Sequence, residues 1–215
     1  MTQTPPSSPS QFPPGFFSRT DESGDDRFYS FDRFVTHIDA AAIEAVGALY
    51  DELDLTGEVL DICSSWISHF RSPPRQLVAM GMNENELRAN EVASSWVVRD
   101  LNRTPVLPFE DLSFDAVTCC VSVDYLTNPL EVFAEVARVL RPGGLFVCTF
   151  SNRCFPTKAI RGWLLADERG RCDIVARYFR LSSGFDEPEV VHRNPGARTD
   201  PLYAVWAPRQ VSIPD

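Results

Sequence analysis

Two hydrophobic patterns alternate along this chain. Short, nearly continuous apolar runs are separated by stretches in which apolar residues recur at three- and four-residue spacings. The runs read as buried strands and the spaced stretches as amphipathic helices. Val35 to Leu53 carries Ile38, Ala42, Ala45, Leu49 and Leu53 on one helical stripe. Gly57 then turns the chain into a strand over Glu58 to Ile62, and a second strand covers Gln76 to Met80. Asn83 is placed to cap a helix running to about Ala93, with Glu86 completing a capping box. Further strands are expected over Trp96 to Arg99, Ser113 to Val121 and Leu145 to Phe150. Between the last two, Asn128, Pro129 and Glu131 punctuate a helix start. Leu130, Phe133, Val136, Ala137 and Leu140 form its apolar stripe, and Pro142-Gly143-Gly144 ends it. A helical region from about Thr157 to Tyr178 precedes strands near Glu189 to His192 and Leu202 to Trp206. This alternation specifies an α/β fold: a Rossmann-like, doubly wound, mostly parallel seven-stranded sheet. The last two strands have no helix between them and form an antiparallel hairpin at one edge.

Flanking composition sets the boundaries. Residues 1–14 are rich in Pro, Ser, Thr and Gln and are expected to be a disordered tail. Residues 15–34 are rich in aromatics, including Phe16, Phe17, Phe28 and Phe31, and are expected to pack on the domain. The domain itself spans 35–209, and 210–215 is a short tail. The net charge of −10 disfavours nucleic acid as a partner, because phosphate binding needs clustered Lys and Arg. Neither an apolar run of spanning length nor a basic-then-apolar leader is present, so a cytoplasmic protein off the membrane is expected. The six cysteines form no C-x-x-C pair and the three histidines are scattered. Buried thiols, and no metal, are the expectation.

Ligands of open parallel sheets bind beyond the carboxyl ends of the strands, which singles out a few residues. The first strand ends in Asp61, and the turn after it is Ile62-Cys63-Ser64-Ser65-Trp66-Ile67, with no glycine. Asp61 is a candidate for a ligand amine or for the turn's own amides. Ser64 and Ser65 either face an anion at a helix N-terminus or simply cap that helix. Trp66 either lines a pocket or fills it, filling or core packing being favoured. Gly81, after strand two, implies a positive φ or a close approach by a ligand. After strand four, Asp124 and Tyr125 are weak catalytic candidates, set against an ordinary polar loop. His37 and His69 are weaker candidate bases, and Arg153 is a candidate for an acidic substrate.

Two segments carry a resemblance: Leu107-Pro108-Phe109-Glu110-Asp111-Leu112-Ser113-Phe114-Asp115-Ala116-Val117 and Glu135-Val136-Ala137-Arg138-Val139-Leu140-Arg141-Pro142-Gly143-Gly144-Leu145. Through them residues 35 to 207 resemble the class I S-adenosylmethionine-dependent methyltransferases. The resemblance implies S-adenosylmethionine as cofactor and methyl transfer to a small-molecule acceptor. It implies cofactor contacts from Asp61, Cys63, Ser64 and Ser65 after strand one, and from Gly81 and Met82 after strand two. Asp100 and Leu101 would meet adenine, with Ser122 after strand four. The chain departs from the family at two places. The three glycines of the cofactor turn map to Cys63, Ser65 and Ile67, and the ribose-binding acid maps to Gly81. The alternative reading is therefore an inactive, methyltransferase-like binding module.

Overall fold

The computed structural model describes residues 11–196 and 198–211. Seven strands form one sheet: β1 (Glu58–Ile62), β2 (Gln76–Gly81), β3 (Ser95–Val98), β4 (Phe114–Cys120), β5 (Leu140–Phe150), β6 (Glu189–His192) and β7 (Tyr203–Pro208). Their order is β3-β2-β1-β4-β5-β7-β6. The pairs from β3 to β5 are parallel, and β7 runs antiparallel between β5 and β6. The α/β fold with its antiparallel edge is the one the hydrophobic pattern specifies.

Period-two alternation divides the strands between two cores. Val59, Ala116, Val147 and Ala204 face one side, with Ala42, Val46, Leu49 and Tyr50 of helix α2 (Ala40–Glu52) packed on them. Leu60, Val117, Phe146 and Val205 face the other. There α4 (Pro129–Val139) and α6 (Glu168–Leu181) add Phe133, Tyr178 and Phe179. Of the short helices α1 (Asp25–Phe28), α3 (Glu84–Arg88) and α5 (Arg161–Leu165), α3 packs on β2 and β3, and α5 adds Trp163 to the second core.

Several boundaries differ from expectation, each for a local reason. Helix α2 starts at Ala40, not Val35, because Asp39 accepts from the Ala42 amide and caps it. Asn83 does cap α3, accepting from Asn85 and Glu86, but Glu86 turns away to other partners and α3 ends at Arg88. Asn128 makes no capping bond, since its amide donates to the Asn102 carbonyl. The helical region after β5 is two helices, α5 and α6, separated where Asp167 caps the second. The expected tail at 1–14 falls outside the described residues as far as residue 10. Within it Phe12 is buried among Phe16, Phe17 and Tyr178, so packed chain reaches further upstream than its composition implied. The tail expected at 210–215 lies outside the described residues from 212 onward.

The largest departure is between β1 and β2. No helix forms there: residues 63–75 cross from one parallel strand to the next as irregular chain. Phe70 of this crossing packs on Tyr50 of α2, with ring centroids 4.6 Å apart. Ser64 and Ser65 therefore cap no helix, and no helix N-terminus faces a ligand at this turn.

Candidate functional site

The turn after β1 is built around Asp61. Its side chain is buried and accepts three hydroxyls: Ser64 at 2.6 Å, Ser68 at 2.6 Å and Thr118 of β4 at 2.7 Å. Burial pushes the Asp61 carboxyl up against these three bonds, which favour its charged form. Asp61 is thus an internal brace and does not line the cavity described below. Cys63 takes a positive φ of 54°, the left-handed geometry that glycine usually supplies and that costs a side chain strain. Its backbone turns the chain so that the Ser64 amide donates to the Met80 carbonyl at 2.8 Å. The turn is thereby laid over the end of β2.

That placement explains Gly81. Its φ is not positive, and no ligand is needed to require it. A Cβ at residue 81 would lie 2.1 Å from the Ser64 carbonyl oxygen. The loss of the glycines and the loss of the acid on β2 are one structural change: the collapsed turn occupies the space a side chain at 81 would take. Glu86 of α3 is buried beside this turn, accepting from Ser65 Oγ at 2.7 Å and from the Arg33 amide at 2.7 Å.

Beyond the carboxyl ends of the strands lies a cavity of about 570 Å³, within the ordinary range for small-molecule sites. Its sheet side is formed by Cys63, Ser64, Ser65, Gly81 and Met82, then by Asp100, Leu101 and Ser122. Asp100 folds its own loop, accepting the Asn102 and Arg103 amides at 2.9 and 3.1 Å. The sequence-expected cofactor residues are therefore brought together here, Asp61 excepted.

The other side comes from the N-terminal segment. Arg19 grips both oxygens of Asp25 at 2.8 Å. Fully buried Lys158 reaches Asp21 at 3.1 Å and Asp25 at 3.2 Å. Burial pushes the Asp25 carboxyl up, but Arg19, Asn102 and Lys158 outweigh it and hold it below its ordinary value. This clasp fixes the following residues, so that Tyr29, Arg33, Thr36 and His37 line the cavity. The wall is completed by Phe155, whose ring meets Phe28 at 5.2 Å, His37 at 5.2 Å and Tyr125 at 6.0 Å. His37 has its pKa lowered, first by burial, so its imidazole is neutral near pH 7.

Trp66 neither lines nor fills the cavity. Its ring stands edge-on to Phe34, and its indole N–H donates to the Val35 carbonyl at 3.2 Å. The expectation of a plugging tryptophan is corrected: it ties the N-terminal segment to the turn from outside. Of the two catalytic candidates, Tyr125 lines the cavity, its hydroxyl accepting the Phe155 amide at 2.8 Å. Asp124 does not. It is buried, and burial pushes its carboxyl up to about 8. One of its oxygens has no hydrogen-bond partner among the described residues. His69 lies outside the cavity, and burial lowers its imidazole to about 4. Arg153 lines the mouth, but Asp200 neutralises it at 2.9 Å. The sequence assigned no site role to Asp25, Tyr29, Arg33, Glu86 or Phe155: Glu86 was expected only to complete a capping box, and the aromatic density of 15–34 was the one hint at the N-terminal residues. Among the described residues no three His, Cys, Asp or Glu side chains converge as a metal site, and no helix is long and apolar enough to cross a membrane.

A doubly wound sheet of this order, with a cavity beyond the carboxyl ends of its strands, has the ligand-binding arrangement of open α/β domains. Residues 64–148 match the family model described as "Methyltransferase domain". The chain is 33% identical over 110 residues to a ubiquinone/menaquinone biosynthesis C-methyltransferase of Dinoroseobacter shibae, covering 46% of this chain and 42% of that one. It is 33% identical over 102 residues to a malonyl-[acyl-carrier protein] O-methyltransferase of Hahella chejuensis, covering 43% and 36%. The matched region is thus less than half the length of these curated relatives. Among solved structures, N-methyltransferase NodS from Bradyrhizobium japonicum aligns with a TM-score of 0.56 at 14% identity, covering 80% of this chain and 99% of that one. An S-adenosylmethionine-dependent methyltransferase from Clostridium acetobutylicum aligns with a TM-score of 0.56 at 11% identity, covering 83% and 94%. Over residues 64–148 the chain is thus similar to the class I S-adenosylmethionine-dependent methyltransferase family, and it shares that family's fold.

The residues present fit that family's cofactor with one partner exchanged. The cavity lies at the strand ends and the Asp100–Leu101 loop is in place. The ribose acid cannot stand at residue 81, where the Ser64 carbonyl excludes any side chain. Glu86 is the carboxylate that lines the cavity at the neighbouring position.

Proposed function

We propose that this cavity binds S-adenosylmethionine and that the protein transfers its methyl group to a small-molecule acceptor. The observation that carries the reading is the open cavity bounded by Ser64, Ser65, Gly81, Met82, Asp100 and Leu101, with Trp66 outside it. When bound, the cofactor supplies a sulfonium methyl; the acceptor's lone pair forms the new bond and the sulfur keeps the electron pair of the broken one. The chain's own part is positioning and exclusion of water, which can remove much of the barrier to such a displacement. Asp100 and Glu86 are the carboxylates available to hydroxyl and amine groups of the cofactor. The segment from Tyr29 to His37 covers the acceptor side. Where the acceptor must lose a proton, neutral His37 is the lining base nearest the aromatic wall. The inactive-module reading rests on the lost turn glycines and on Gly81; the cavity beside that turn, with Trp66 outside it, supports the methyltransferase reading instead.

Thermal denaturation with S-adenosylmethionine and S-adenosylhomocysteine tests the reading. Ligand at 100 times its dissociation constant stabilises the fold by about 2.7 kcal/mol. For a domain of this size that is a rise in Tm of roughly 5–11 °C. No shift with either compound at millimolar concentration, in folded protein, refutes it.

A further inference from the structure

The lining carboxylates and cations are unevenly matched. Asp25 is held by Arg19 and Lys158, and Asp200 by Arg153. Asp39 is taken by Thr199 and by the start of α2. Arg33 is different: it lines the cavity with no carboxylate within 4 Å among the described residues. Its guanidinium is nonetheless fixed. Nη2 donates to the Phe28 carbonyl at 2.8 Å and Nη1 to the Phe31 carbonyl at 3.1 Å. The group stacks over the Phe28 ring at 4.6 Å and stands 5.7 Å from the Phe155 centroid. Two of its five N–H donors are used, and the remaining three keep the planar geometry that matches a carboxylate. Arg99, the other lining cation without a carboxylate partner, donates to the Val106 carbonyl at the end of β3, on the cofactor side.

We propose that the acceptor is a planar organic acid, with its carboxylate on Arg33 and its ring or conjugated system against Phe155. The proposal rests on the methyltransferase reading for the word acceptor, but the acid site stands on Arg33 and Phe155 alone. A fixed, unneutralised guanidinium on an aromatic wall selects an anion with a flat apolar body: the charge satisfies the free N–H fork and the body stacks. A neutral amide of the same shape would leave the guanidinium without a counter-charge in a partly dry cavity, which is where discrimination is large.

The test uses isotope-labelled protein and NMR titration with matched pairs: benzoate and benzamide, cinnamate and cinnamamide, indole-3-carboxylate and indole-3-carboxamide. Each pair is run with and without S-adenosylhomocysteine. The acids are expected to bind at least tenfold tighter than the amides and to shift resonances of Tyr29, Arg33 and Phe155. Arg33→Gln should erase the preference, while Arg33→Lys, which keeps the charge and loses the fork, should retain part of it. Affinity for S-adenosylhomocysteine should change less than threefold in both variants. Acids and amides binding alike, or a preference that survives Arg33→Gln, overturns the proposal. Should Arg33→Gln loosen the N-terminal segment, the acid–amide comparison in the unaltered protein and in Arg33→Lys still decides. Failure of S-adenosylhomocysteine to bind, with acid preference intact, would instead strike the cofactor reading and leave the acid site standing.

Discussion

Restoring the family's acid on β2 should harm this protein. In Gly81→Asp the new Cβ sits 2.1 Å from the Ser64 carbonyl oxygen, a backbone atom that cannot swing aside like a side-chain end. It also presses on Leu87, whose Cδ2 is 3.2 Å away. Relief requires the turn to lift, which breaks the hydrogen bond that the Ser64 N–H donates to the Met80 carbonyl and strains the Ser64, Ser68 and Thr118 contacts to Asp61. Overpacking of this kind costs about 1–3 kcal/mol. Gly81→Ala isolates that steric cost, since it adds the Cβ and nothing else. At about 2 kcal/mol its Tm should fall by roughly 4–8 °C. Gly81→Asp should fall further, because it also buries a carboxylate. Urea unfolding and S-adenosylhomocysteine titration of both variants check this. Full stability in Gly81→Ala, or tighter S-adenosylhomocysteine binding in Gly81→Asp, would refute the idea that the turn lies on the end of β2.

Two further outcomes concern buried charge. Asp124 has its pKa raised by burial from 3.8 to about 8. A raised carboxyl favours folding fully below its unfolded pKa and loses that contribution as pH rises to the folded one, so stability should fall between about pH 4 and pH 8. The loss is at most about 6 kcal/mol by linkage. Asp124→Asn should flatten this pH dependence when urea unfolding at pH 5 and pH 8 is compared with the unaltered protein; identical pH dependence in the two would exclude Asp124 as its source. Lys158→Met removes one partner from the Asp21–Asp25–Arg19 clasp and should cost roughly 3 kcal/mol, the low end for a broken buried pair because Arg19 stays on Asp25. Limited proteolysis should then cut first between residues 19 and 37, and a variant as resistant there as the original would show that the clasp does not hold this segment.

Glu58–Ile62, the Phe114–Cys120 strand and the Pro129–Val139 helix were legible because each is a local pattern. Alternation decides which side chains of a strand share a face, and a three-four stripe decides which side of a helix is buried. The carboxyl-end position of Cys63, Gly81, Asp100 and Ser122 followed from the same reading, since a parallel sheet gathers its strand ends. Asp61 was legible as important, but its role was not. Whether a carboxylate meets a ligand or three neighbouring hydroxyls depends on where Ser68 and Thr118 fall, and Thr118 belongs to another strand.

The sequence by itself determined the sheet, its helices and the edge that holds the cavity, because burial of apolar periodicity fixes these element by element. It also marked two departures, at residues 63–67 and at Gly81, without joining them. Only the tertiary structure decided that they are one change. The missing crossover helix lets the turn settle on β2, and a steric conflict between backbone at Ser64 and any Cβ at 81 has no signature in either segment alone. The same holds for Glu86, for Arg33 and for the Lys158 clasp. Their meaning arises from contacts between segments remote in sequence, and it is those contacts that leave one cavity open, roofed and carrying an unneutralised guanidinium.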